Sequence, residues 1–371
     1  QLNMDAIVTR LGYTNRVISF AESRAWRGTQ TFSAAGLAAD FNVSRVYVTN
    51  AYSTLEPRPV LHALGPEIED VMAPYRFLQP PTVHLEGYVP MENPQDANMI
   101  FEGLAGPFEC LKFRVPRVTG RVHWLNNTLT ITNVQAEFYG GDGTGWAKFF
   151  FPVEPGTQFA FGVNTTNTNL RLLMDDLTSP TNSLDGRFNL NLVITDADSE
   201  KPLSWNGYGD AQLRDGLIWE IPIFGVLSKP LDAIMPGVGN SRVSSASANF
   251  VIANSVIRSD DLEMRSPAMR LQYRGTVDFD RNVRARVTAE PLRGTPVLGP
   301  VMNVALWPVT RLLQYKITGT LADPKPEPVY IPKILLFPLA PFKTLEELFT
   351  PGTLSTNAPA EIKKAGEVPA R

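Results

Sequence analysis

The sequence predicts a β-dominated antiparallel fold in which hairpins stack in a quasi-linear array and a few helices serve as connectors. Three observations predict it. Apolar residues recur at every second position, turn residues return at short intervals, and the 371 residues include 31 prolines and 27 glycines.

Taken in chain order, Asp5–Phe20 places Ile7, Val8, Leu11, Val17 and Ile18, with Ala21 just beyond, at approximately helical spacing, so a helix is expected there. Ala34–Phe41 and Val46–Asn50 read as a strand pair. Pro59–Met72 carries Val60, Leu61, Leu64, Ile68 and Val71 on one helical face. Val118–Trp124 and Leu129–Asn133 flank an Asn126-Asn127 turn. Gly140–Gly145 reads as a glycine-rich hairpin turn feeding the strand Trp146–Phe151. A short helix is expected over Leu170–Leu177, closing at Pro180. Phe188, Leu190, Leu192 and Ile194 alternate with Arg187, Asn189, Asn191 and the less polar Val193, which marks a half-buried strand. Gly207–Leu213 should meet Leu217–Trp219 across a turn at Asp215-Gly216. Ile223–Met235 reads as a helix stopped by Pro236-Gly237. Ser245–Phe250 and Val256–Leu262 flank Asn254-Ser255, and Met269–Phe279 and Val283–Ala289 flank a turn over Asp278–Asn282. Val301–Leu313 is an apolar connector. The uncharged stretch Gly294–Thr310 that contains most of it carries Pro296, Pro300 and Pro308, short of the roughly 20 apolar residues a membrane span needs. From Asp323, the prolines 324, 326, 328 and 332 impose an extended path, and the small polar residues after Leu348 suggest a disordered end.

Composition excludes more than it identifies. Thirty-four basic against 37 acidic residues give a net charge of −3, with no polyanion-binding bias across the chain. A hydrophobic content of 43% supports a folded core. The single cysteine, Cys110, permits no intrachain disulfide and no cysteine-based metal cluster. His62, His84 and His123 lack metal-ligand spacing. No Gly-x-Ser-x-Gly or His-Glu-x-x-His pattern occurs. Gly140–Gly145 lacks the Lys-Ser/Thr pair and following helix of a phosphate loop. The acidic pairs Asp175-Asp176 and Asp260-Asp261 read as a helix end and a solvated turn. Arg265, Arg270, Arg274, Arg281, Arg284 and Arg286 are interspersed with Glu263, Asp278, Asp280 and Glu290, as on a solvated strand face; anionic headgroup contact is the minor reading.

The distinctive feature left is a run of strands with one strongly apolar face. It fits two readings, an ordinary sandwich core or an open trough whose apolar side is not covered by a second sheet.

A resemblance bears on that choice. Val118-Thr-Gly-Arg-Val122, Leu129-Thr-Ile-Thr-Asn133, Phe138-Tyr-Gly-Gly141 and Leu184-Asp-Gly-Arg-Phe188 occur in order. Gly207-Tyr-Gly-Asp-Ala211, Arg214-Asp-Gly-Leu-Ile218 and Ile221-Pro-Ile-Phe-Gly-Val-Leu227 follow. Ser245-Ala-Ser-Ala-Asn-Phe250, Leu262-Glu-Met-Arg-Ser266, Gly275-Thr-Val-Asp-Phe279 and Ile317-Thr-Gly-Thr-Leu-Ala-Asp-Pro324 complete the series. Between about Val118 and Pro328 this series resembles the C-terminal region of AsmA-like proteins of Gram-negative envelopes. The resemblance implies a mainly β fold: an elongated, curved antiparallel β-sheet, groove-like or partly closed, with a few short connecting helices. It divides the chain into a β-rich extension with two helices (1–110), an AsmA-like domain (111–330) and a Pro-rich extended tail (331–371).

The resemblance further implies a periplasmic protein, anchored to the inner membrane by a segment outside this chain, that handles phospholipid or another acyl lipid. No catalytic residue, metal or cofactor comes with it, and no nucleic-acid partner. The candidate groove residues are Leu129, Ile131, Phe149, Phe151, Phe188, Leu190 and Leu192, with Phe250, Ile252, Val277, Phe279, Val283 and Val287. Alternation alone does not fix which strand face lines the groove. The alternative is a scaffolding subunit of an envelope assembly that pairs with a partner protein through exposed strand edges; a hydrolase is a distant third.

Overall fold

The computed structural model describes residues 3–59, 75–92, 96–152, 155–177, 182–234, 237–292 and 313–330. In chain order the strands are β1 (Ala6–Thr14), β2 (Val17–Arg27), β3 (Gln30–Asp40), β4 (Arg45–Ser53), β5 (Tyr75–Phe77), β6 (Thr82–Pro90) and β7 (Asn98–Ala105). They continue as β8 (Phe108–Cys110), β9 (Phe113–Val115), β10 (Arg117–Leu125), β11 (Thr128–Phe138), β12 (Gly141–Phe150), β13 (Gln158–Asn169), β14 (Asp185–Asp198) and β15 (Lys201–Leu217). The last six are β16 (Val243–Ala253), β17 (Val256–Arg265), β18 (Met269–Asp278), β19 (Val283–Pro291), β20 (Leu313–Gly319) and β21 (Pro324–Tyr330). Three short helices are α1 (Leu170–Leu177), α2 (Pro222–Gly225) and α3 (Ser228–Ile234), and residues 57–59 are helical as well.

Eighteen strands form one antiparallel meander. Each pairs with the next in sequence, except that β4 pairs with β6 and β7 with β10. The skipped β5, β8 and β9 make a separate three-stranded sheet. The main sheet is open, with β1 at one edge and β21 at the other. Seventeen spacings of about 4.8 Å make it about 80 Å long along its hydrogen-bonding direction. The ladder crosses residue 110 without a break, through eight registered pairs between β7 and β10.

Two features bend it. Bulges at Glu22, Asn50, Asn133, Asn167 and Asp215, each with positive φ, shift the register and kink their strands. The sheet also curls toward one face. Trp205 of β15 and Phe279, just past β18, lie three strands apart, about 14 Å on a flat sheet, yet their ring centroids are 5.6 Å apart. Leu217 of β15 and Pro326 of β21 line one cavity of about 760 Å³, although six strand spacings separate them along the ladder.

The expected hairpins around Asn126-Asn127, Asn254-Ser255 and Asp278–Asn282 all occur. So do a helix at Leu170–Leu177 and helix within Ile223–Met235, broken between α2 and α3. Three expectations need correction. Asp5–Phe20 is not helical: it holds β1 and the start of β2, joined at Asn15-Arg16, where both residues have positive φ. Its β-branched residues favour strand, and Ile7, Thr9, Leu11 and Tyr13 alternate with period two. The turn predicted at Gly140–Gly145 is confined to Tyr139-Gly140, and β12 already begins at Gly141. Asp215-Gly216 is a bulge inside β15, not a turn. The helix expected at Pro59–Met72, the apolar connector Val301–Leu313, the stop at Pro236 and the tail 331–371 fall wholly or mainly outside the described residues.

The edges differ chemically. On β21, Pro324, Pro326 and Pro328 occupy alternate positions opposite Gly319, Ile317 and Tyr315. A proline has no N–H to give, so the ladder runs through Lys325 and Glu327, and the prolines leave the outer edge without donors at three positions. β1 contains no proline.

Candidate functional site: an apolar trough

Residues directly opposite one another on paired strands share a face, so the registers can be followed across the sheet. One row begins Ser23–Ala34–Ala51–Leu85–Phe101–Val122, from β2 to β10. It continues Ile131–Ala147–Phe161–Ile194–Gly207, from β11 to β15. It ends Ile252–Ile257–Val277–Val283, from β16 to β19. Fifteen strands contribute, and Ser23 alone is polar. A neighbouring row on the same face runs Leu11–Phe20–Leu37–Val48–Gly87–Met99 and then Trp124–Leu129–Phe149–Phe159–Ala197. The intervening positions face the other way and are mostly polar, as with Lys148, Asn164, Asn191 and Gln212.

The apolar face is the one toward which the sheet curls, since Trp205 and Phe279 meet on it. It is therefore the inside of a trough. All thirteen candidate residues lie on this face: eleven by register, with Phe151 and Phe279 two positions beyond Phe149 and Val277. This resolves the ambiguity that alternation left open.

Large and small residues alternate along the floor. Leu192 stands between Val163 and Gly209, and Gly209 pairs with Phe250. A Cβ on Gly209 would lie 2.5 Å from the Phe250 ring, which therefore lies flat over bare backbone. One wall is aromatic: Phe149 lies 6.2 Å from Phe159, Phe159 5.2 Å from Trp205, and Trp205 5.6 Å from Phe279 between ring centroids. Ile194, Ala197 and Ile252 form a small buried cluster beneath this wall.

The trough is closed at one end only, among the described residues. Helix α1 packs against β9, β13 and β14. Leu227 and Leu231, at the α2–α3 step and within α3, are fully buried against Val243, Met264, Leu271, Leu313 and Ile317. Val283 and Val287 are 1% and 0% exposed in this cluster. They belong to the closed core at the capped end, and Val283 also borders the small cavity beside α2. Phe188 and Val277 pack at the margin of the same core. A cavity of about 100 Å³ lies between Ile223 of α2 and the strand residues Ile257, Leu262, Tyr273 and Val277, where the cap meets the trough. Toward β1 the floor residues Ser23, Ala34, Ala51 and Met99 are buried, whereas Leu11 and Tyr13 on the edge strand are 70% and 69% exposed.

Hydroxyls on this face are unusual. Those of Thr165, Thr168, Tyr273 and Tyr315 are buried without hydrogen-bond partners among the described residues, and burial pushes the Tyr273 and Tyr315 phenols above their ordinary range.

The groups considered for chemistry have structural partners. Asp176 accepts from Tyr139 Oη at 2.6 Å and pairs with Arg114 at 2.7 Å, tying the small sheet to α1. Burial, then the bond to Asp176, pushes the Tyr139 phenol up to about 12. Asp175 accepts from Asn182; Asp260 pairs with Arg258 and Asp261 accepts from Asn249. His123 Nε2 lies 3.0 Å from Asn98 Oδ1. Among the described residues no group of His, Cys, Asp or Glu is arranged to hold a metal ion.

Sequence reasoning missed Phe159, Phe161 and Trp205, and all of the trough before β11. A signal existed in Gln158-Phe-Ala-Phe161 and in Val83 and Leu85 alternating with His84 and Glu86. Fold and site together define an antiparallel β protein built on one large open sheet, with an apolar trough capped by helices at one end. No family model, curated protein or solved structure matches the chain.

Proposed function

We propose that this chain is an AsmA-like protein of the bacterial envelope that binds or conducts phospholipid acyl chains along the trough. The role is non-catalytic and needs no cofactor. It would serve outer-membrane biogenesis or maintenance from the periplasm. The observation that carries this reading is the row across fifteen strands on the inner face, apolar at every position but Ser23. An acyl chain laid against it sheds water at about 0.8 kcal/mol per buried methylene. Its headgroup stays at the open rim. Such binding selects for apolar length and not for a particular chain. No described helix is long and apolar enough to cross a membrane.

The test is a photoreactive phenylalanine analogue placed at Phe161 inside the trough or at Lys148 on the outer face. Crosslinks to phospholipid from Phe161 and none from Lys148 are expected; equal labelling, or none at Phe161, contradicts the reading. One observation favours the scaffold reading instead: β1 offers an unblocked edge whose apolar side chains are exposed. A stoichiometric protein partner, with the trough empty of lipid, would move the assignment there.

A further inference from the structure

The outer face of the capped end carries an array of cations that the trough does not explain. Arg274, Arg286 and Lys316 stand directly opposite one another on β18, β19 and β20. In the next row Arg258 pairs with Thr276, which pairs with Arg284. The register that sets Ala285 against Ile317 and Asn282 against Thr320 places Arg284 opposite Thr318, which pairs with Lys325. The two rows thus hold six cations and one acid, Glu327 opposite Lys316, across five strands. Arg258 is paired with Asp260 at 2.8 Å and Lys316 with Glu327 at 3.7 Å. Arg274, Arg284, Arg286 and Lys325 are exposed and form no ion pair with any described residue. Among the neighbouring acids, Asp261, which with Asp260 stands across from Arg274 at the β17 bulge, is held by Asn249, and Asp278 is held by Asn282, with Arg284 a minor influence on it.

Arg265 and Arg270 of the same stretch are engaged, both binding Glu263, and Arg281 lies in the β18–β19 turn outside the two rows. The registers therefore separate the Glu263-bound arginines from a group of four cations without an ion pair among the described residues, a division the sequence order conceals. Like charges directly opposite on paired strands destabilise a sheet, so this arrangement costs stability that an outside anion would offset.

We propose that this face docks on the surface of an anionic phospholipid bilayer. The two rows spread over five strands, about 19 Å of strand spacings, on the outer side of the curl, where a surface of anionic headgroups can reach them. A duplex fits it poorly. The major groove, about 12 Å wide, admits a helix or a two-stranded ribbon and not a five-stranded face, and neither row contains an aromatic ring to stack on bases. The proposal is independent of lipid occupancy in the trough, which lies on the opposite face.

The experiment is co-flotation of the full chain with vesicles of phosphatidylcholine alone or with added phosphatidylglycerol, at low and high salt. Binding to the anionic vesicles that high salt abolishes is expected. Each cation near an anionic surface contributes about fivefold, so Arg274→Gln, Arg284→Gln and Arg286→Gln together should weaken binding about a hundredfold. The corresponding three Arg→Lys changes should retain it, as should Arg24→Gln at the far end of the sheet. The glutamine variant loses like-charge opposition, so its Tm should hold or rise. Equal binding by wild type and the folded glutamine variant, equal binding to neutral vesicles, or a stronger preference for duplex DNA would overturn the proposal. Retained vesicle binding by Leu192→Asp, a trough variant, separates this outcome from failure of the lipid-trough reading.

Discussion

Leu192→Asp places a carboxylate in the middle of the trough floor. Leu192 is half-buried, with Val163 on one side and the bare backbone of Gly209 on the other. In the empty protein the carboxylate can reach water above the floor, so the folding cost should stay at about 1–2 kcal/mol. In the lipid complex it must either be buried unpaired or keep its water. If about four methylenes of a passing chain stay hydrated around it, the loss is about 3 kcal/mol at 0.8 kcal/mol each. That corresponds to a weakening of about a hundredfold or more. Leu192→Ala removes contact area without adding charge and should cost less than about tenfold. Val193→Asp is the control, because the adjacent residue faces outward on the same strand. The assay is equilibrium titration with a phospholipid carrying a fluorescent acyl chain, with circular dichroism to verify the fold. Wild-type affinity in a folded Leu192→Asp protein, or equal losses in Leu192→Asp and Val193→Asp, would refute the reasoning.

Three further outcomes follow from the packing and charges. Tyr273→Phe removes a buried, unpartnered hydroxyl and should leave stability unchanged or raise it by up to about 1 kcal/mol, measured by urea denaturation; a marked loss would mean that the hydroxyl has a partner. Glu263 is held at about 2, first by its bond to Arg270. Its folded-state value lies below the unfolded one, so its stabilisation is present above the ordinary glutamate pKa and is lost as pH falls toward 2. Glu263→Gln should therefore cost about 1–2 kcal/mol at neutral pH after allowance for solvent screening, and the difference from wild type should shrink in acid; a constant difference would exclude the ion pairs as its source. Replacing Pro324, Pro326 and Pro328 with threonine restores outward donors to β21 and should produce concentration-dependent self-association in sedimentation velocity; unchanged behaviour would show that missing donors do not protect that edge.

The fold was legible where one local signal dominated. Asn126-Asn127 and Asn254-Ser255 marked hairpins because few other residues accept positive φ at a tight turn. Phe188 to Ile194 announced their face through strict alternation. Asp5–Phe20 misled because its apolar residues satisfy helical and strand spacing at once; its β-branched content decided the matter. Asp215-Gly216 had turn chemistry but served as a bulge, since local preference for positive φ does not say whether the chain reverses. The trough itself was half legible. The apolar face could be named from β11 onward, but the burial of Val283 and Val287 depends on Leu227 and Leu231, distant in sequence and contributed by the helical cap. The cation array was invisible for the same reason, because pairing partners on β18 to β21 exist only once the register is known.

The most direct test of the trough is native mass spectrometry with lipid extraction on protein purified without detergent. Phospholipid should co-purify with wild type and Val193→Asp and be lost from Leu192→Asp. Protein that is empty as isolated, and stays empty after incubation with phospholipid vesicles, would contradict the account.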